Sequence, residues 1–133
     1  LGNAFSQARE TQDAIRHYEQ ALRLDPNYAE AQNNLAWALA TCSPTEGGDP
    51  TRAVALAERA CDLTGHRAAA CLDTLAVAYA AAGRFSEAIV TAEKAIELTR
   101  AAGQHQLESQ VETRLKSYGA GHAWREPKAA GSN

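Results

Sequence analysis

The stretch from Ala14 to Thr41, AIRHYEQALRLDPNYAEAQNNLAWALAT, holds two helical patterns separated by a hard stop. In its first half Ala14, Ile15, Tyr18, Ala21, Leu22 and Leu24 recur at helical spacing, while Arg16, Glu19, Gln20 and Arg23 take the opposite face. Pro26 has no N–H and its ring clashes with the carbonyl one turn back, so this helix is expected to stop at Leu24-Asp25. Asn27 is then placed to cap a second helix, with Glu30 three residues on as the other half of a capping box. Ala31, Leu35, Ala38 and Leu39 give that second helix its apolar stripe.

Both patterns recur on either side. Before the stretch, Leu1, Ala4, Phe5 and Ala8 keep helical spacing; Arg9-Glu10-Thr11 interrupts it, and Thr11 is expected to cap the helix that follows. After it, residues 41–50 (TCSPTEGGDP) carry two prolines and two glycines and read as a loop. Its end, Asp49 followed by Pro50, is a strong helix start. One helix then runs to Gly65 and another from about Ala68 to Ala82, with Leu72, Leu75, Ala76 and Tyr79 inward. Gly83 stops it, and Ser86 starts a helix ending near Gly103. A last helix, about residues 104–118, turns Leu107, Val111, Leu115 and Tyr118 to one side. Residues 119–133 are expected to form a flexible tail, although Trp124 is an unusual residue to leave in solvent.

The offsets between these patterns are regular. Leu1, Gly2 and Phe5 fall 34 residues before Leu35, Ala36 and Leu39, which fall 40 before Leu75, Ala76 and Tyr79. Ala14, Ala21 and Leu24 precede Ala53, Ala60 and Leu63 by 39, and those precede Ala88, Ala95 and Leu98 by 35. A 34-residue period explains every offset, with about five residues inserted in the 41–50 loop and one in the Gly65–Arg67 turn. The small residues Gly2, Ala36 and Ala76, facing Ala14, Ala53 and Ala88, let two antiparallel helices approach closely. Ala21, Ala60 and Ala95 let each pair accept the next, so the unit must stack to cover its apolar flank.

Composition narrows the function. The chain has 133 residues, enough for one core, and its wealth of Ala, Leu, Glu, Gln and Arg favours helix. A formal net charge of −3 without a basic run speaks against nucleic acid as partner, and no apolar stretch is long enough to span a bilayer. His17, His66, His105 and His122 are scattered, and Cys61, His66 and Cys71 have irregular gaps. Ser43 and Ser86 have no base partnered with them in sequence, and residues 46–50 lack the lysine of a phosphate loop. No catalytic residue, metal ligand or cofactor is therefore assigned. Three cysteines without a CxxC pair point to a reducing, cytoplasmic setting. The opening LGNAF, already in helical pattern, reads as the start of a fragment of something longer.

These residues resemble the tetratricopeptide repeat. The pattern is carried by L-G-x-x-F at Leu1 to Phe5 and by A-x-x-x-Y-x-x-A-L-x-L-D-P from Ala14 to Pro26. It recurs as L-A-x-A-Y at Leu75 to Tyr79, followed by G-R-F-S-E-A-I at Gly83 to Ile89. The second copy departs from it, with Gln32 where the family favours Trp and Gly65 in place of the closing proline. The resemblance implies an all-α, right-handed superhelix of antiparallel helix pairs, the C-terminal part of a longer array. The expected units are a partial repeat at 1–28, a second at 29–67, a third at 68–102 and a capping helix at 104–118.

It further implies a concave groove lined by the first helix of each pair, holding a protein or peptide ligand. Mapped onto this chain, the groove residues are Asn3, Gln7, Asn33, Asn34, Trp37, Asp73, Thr74 and Val77, with Ser6, Thr41 and Ala81 beside them. Side-chain amides both donate and accept, so Asn33 and Asn34 suit a peptide backbone irrespective of its side chains. Asn34 matches one rung of the asparagine ladder in the repeats of O-GlcNAc transferases, whereas Thr74 takes the next rung. Trp37 is read either as a groove anchor or as packing on the 41–50 loop or the tail. Chaperone-binding members clamp a carboxylate with groove lysines and arginines, which are missing at those positions here. Two other readings stand beside the interaction module. One is the substrate-recruiting repeat region of a larger enzyme such as a glycosyltransferase. The other is a scaffold that homodimerises through the flank at Leu1 and Phe5.

Overall fold

The structure, a computed structural model, describes residues 2–124, with side chains from residue 9 onward. Among the described residues it is all helical: α1 (Gly2–Leu24), α2 (Ala29–Thr41), a short 3-10 turn (Pro44–Glu46), α3 (Pro50–Leu63), α4 (Ala69–Ala81), α5 (Phe85–Ala102) and α6 (His105–Gly119). Each helix packs on its successor, and α2 also packs on α4. Neither α1 and α3 nor α3 and α5 make a comparable contact, so the array of α-helical pairs curves toward the α2–α4 side. This is an α-solenoid, and its inner layer is α2 and α4.

The small residues singled out by the repeat sit at the tightest contacts. Ala36, Ala53, Ala60, Ala76, Ala88 and Ala95 are fully buried, with Leu35, Leu39, Leu72 and Leu75 filling the space beside them. Burying each such leucine contributes about 1.5–3 kcal/mol. In the first copy Ala14 and Ala21 stay partly exposed, because among the described residues only α2 packs extensively on α1, and α3 reaches it through Arg52, which donates to Glu19 at 2.7 Å.

Three local expectations are corrected. The interruption at Arg9–Thr11 does not occur: α1 is one helix of 23 residues, and Thr11 lies inside it instead of at a helix start. The third copy shows why. There the position equivalent to Arg9 is Gly83, whose φ of +80° lets Arg84 N–H reach back to the Tyr79 carbonyl at 2.8 Å and close the helix. Arg9, a good helix former with a Cβ, has no such route, so the helix runs on.

Asn27 does not cap α2. Tyr28 occupies the cap position without a side-chain bond, and α2 starts at Ala29. The Asn27 N–H donates instead to Asp25 Oδ1 at 3.2 Å, and its Oδ1 accepts from Arg59 of α3 at 2.7 Å. The joint is tied by Gln32, which replaces the family's Trp and donates from Nε2 to the Pro26 carbonyl at 2.7 Å. At the other junction the expected start holds: Asp49 caps α3 through Arg52 N–H at 3.2 Å, with Pro50 in the first turn.

The chain after α6 is also ordered further than expected. Gly121, at φ +77°, lets His122 N–H bond the Ser117 carbonyl at 2.9 Å. The chain turns back on itself there, and Ala123 and Trp124 pack against the core. Residues 125–133, the remainder of the expected tail, lie outside the described residues.

Candidate functional site

α2 presents Asn33, Trp37 and Thr41 at one-turn intervals, with Asn34 beside them, on the face opposite buried Leu35 and Leu39. All four are partly exposed. Thr41 is spoken for, since its hydroxyl donates to the Trp37 carbonyl at 2.8 Å. Asn33 Oδ1 is buried and has no protein partner, although the residue as a whole is partly exposed.

The matching face of α4 is closed. Asp73, Thr74 and Val77, expected to line a groove, are 5%, 2% and 0% exposed. Thr74 spends its hydroxyl on the Ala70 carbonyl at 3.0 Å. Every residue from Cys71 to Ala80 is buried, because α6 and the turn that follows it cover what a bare α4 would show. Val77 has no surface to offer a partner, and Asp73 is already engaged. Asn3, Ser6 and Gln7 lie in α1, but their side chains are outside the described residues.

Arg114 of α6 organises this closure. Its Nη1 donates to Asp73 Oδ2 at 2.8 Å, and its guanidinium carbon lies 4.9 Å from the Trp37 ring centroid and 5.5 Å from that of Trp124. A guanidinium is planar, weakly hydrated and attracted to aromatic faces, so one side chain serves an ion pair and two rings. Tyr118, on the next turn of α6, is almost fully buried, and burial, with Asp73 adding to it, pushes its hydroxyl well above the ordinary tyrosine range. Arg114 was not among the residues expected at the site, yet the sequence carries a signal for it. Asp73 is the lone charge between residues 68 and 82, and Arg114 sits one turn from both Val111 and Tyr118 on the apolar side of α6.

The arrangement is a half-open inner face: amides and one indole edge on α2, then a polar-aromatic closure over α4. Two family models match the chain. One described as TPR repeat covers residues 2–41, and one described as tetratricopeptide repeat covers residues 68–102. Between them they span more than half of the sequence, and the chain belongs to the tetratricopeptide repeat family. Repeats of this family generally mediate protein–protein interaction and are typically not catalytic. Neither model covers 42–67, the segment that contains the inserted loop. Comparison with curated proteins gives no match. No helix is long and apolar enough to cross a membrane among the described residues.

Proposed function

We propose that this chain is a protein-interaction module that holds an extended peptide or partner helix against the inner face of α2. The observation that carries this reading is that Asn33 and Asn34, neighbours on the inner-layer helix α2, are both partly exposed. A side-chain amide both donates and accepts, which suits Asn34 to a peptide main chain with Asn33 beside it, and Trp37 one turn on supplies an apolar edge. The contact zone is confined to α2 and the neighbouring part of α1, since the equivalent face of α4 is covered.

A peptide array probed with the labelled protein tests it. Asn34→Ala and Asn33→Ala, at partly exposed positions, are expected to keep the melting temperature and to weaken binding by about tenfold, the effect of losing roughly one backbone hydrogen bond. Full retention of binding by both variants would sink the assignment.

A further inference from the structure

The closure over α4 has features of a seat and not of a core. Trp124 reaches it through the turn at Gly121, past three exposed residues, Ala120, Gly121 and His122. Its indole N–H is buried with no protein acceptor. Arg114 Nε, on the side chain that faces the Trp124 ring, is likewise buried without a protein partner, as are Tyr118 Oη one turn on in α6 and Asn33 Oδ1 one turn before Trp37 in α2. Buried polar groups are normally paired, and an indole N–H left without an acceptor beside further orphans on α2 and α6 marks an occupant that satisfies the shape of the site but not its hydrogen bonds. Arg114, by contrast, is held independently of Trp124, by Asp73 at 2.8 Å and by Trp37.

We propose that Arg114 and Trp37 form a subsite for an aromatic side chain of a bound peptide, and that Trp124 of the same chain fills it in the absence of that peptide. This rests on the inner face being the binding surface and adds the chemistry it selects. An incoming aromatic ring takes the cation–π contact that Trp124 gives up. The peptide main chain that carries it supplies the N–H and C=O groups that Asn33, Arg114 and Tyr118 lack, and the exposed Gly121 turn lets Trp124 swing away. The partner is thus a peptide with an aromatic residue, and its apparent affinity is reduced by the fraction of molecules in which Trp124 is seated.

The chain's own segment provides the probe. A fluorescent peptide of residues 120–128 (AGHAWREPK) is titrated into the full-length protein and into full-length Trp124→Ala, followed by anisotropy. The expected result is at least tenfold tighter binding to Trp124→Ala than to the wild type, and loss of that binding when the peptide's tryptophan is replaced by alanine. Equal binding to both proteins, indifference to the peptide's tryptophan, or no binding to Trp124→Ala each overturns the subsite. Should Trp124→Ala lose its cooperative melt, Trp124→Leu, which keeps apolar cover without a π face, replaces it in the same titration. Failure here leaves the wider groove reading to the Asn33 and Asn34 variants, whose readout does not depend on an aromatic ligand.

Discussion

The Arg114 guanidinium of α6 donates to Asp73 of α4 at 2.8 Å, with 13% and 7% of the two side chains exposed, across 41 residues of sequence. The pair fastens the last helix to the inner layer of the solenoid, where α6 otherwise rests mainly on α5. Desolvation offsets much of the attraction in such a pair, but removing one partner strands the other in a nearly dry site. Asp73→Ala is therefore expected to cost about 3–5 kcal/mol in urea unfolding. Asp73→Leu combined with Arg114→Met, which removes both charges, should recover most of that loss. A double variant no more stable than Asp73→Ala would show that the charge is not what matters.

Packing at the repeat contacts predicts that opposite changes of size at neighbouring residues both destabilise. Leu35 and Ala36 are both 0% exposed, one filling space and the other allowing close approach. Leu35→Ala should cost about 2–5 kcal/mol through the cavity it leaves. Ala36→Leu, although it adds apolar surface, should cost about 1–3 kcal/mol because the helices cannot separate without loss of their other contacts. Thermal and urea melts of the two variants measure both.

The backbone at Gly83 and at Arg9 makes a third contrast. Gly83→Ala forces a Cβ into φ +80° and should cost about 1–2 kcal/mol. Arg9→Gly, in the middle of α1, is expected to raise amide exchange in the adjoining turns, by weakening the helix there by roughly 0.5–1 kcal/mol. Unchanged exchange around residue 9 would count against a continuous α1.

Stability should fall in mild alkali. Burial, with the Glu58 carboxylate that accepts the Tyr79 hydroxyl at 2.9 Å, raises the Tyr79 pKa to about 12, against about 10 for a tyrosine in an unfolded chain. Above pH of about 10 the unfolded chain releases this proton first, so the stabilisation is complete below that pH and drains away up to about pH 12. Tyr118, shifted in the same direction by its burial, steepens the decline. Tyr79→Phe should flatten the profile of unfolding free energy between those limits; an unaltered slope would exclude Tyr79 as a source.

The cysteines should react in a fixed order. Burial is the largest cause that pushes Cys61 up to about 12, and burial raises Cys71 as well, while Cys42 is only partly buried. Since the thiolate is the nucleophile, iodoacetamide at pH 8 should label Cys42 first and the other two only in denaturant. Mass spectrometry of partially labelled protein reads the order directly.

Much of this molecule was legible before any coordinates. The 34-residue spacing, the buried alanines at 36, 53, 60, 76, 88 and 95, and the Asp49-Pro50 start all follow from short-range rules: helix period, side-chain size and capping. The readings that failed were local alternatives of nearly equal energy. Whether Arg9–Thr11 turns or continues, and whether Asn27 caps or binds Arg59, depends on neighbours that arrive from elsewhere in the chain.

The candidate site divides along the same line. By itself the sequence determined that α2 carries Asn33, Asn34 and Trp37 on one face, because positions one turn apart on a helix must share it. That Asp73, Thr74 and Val77 are shut away on the equivalent face of α4 was decided only by tertiary structure, as was the meeting of Trp37 and Trp124 on Arg114. A repeat pattern states what each helix offers its neighbours. What covers the inner face of α4 depends on how one helix and one glycine turn come to rest, and that is settled by an ion pair and ring contacts between residues far apart in the chain.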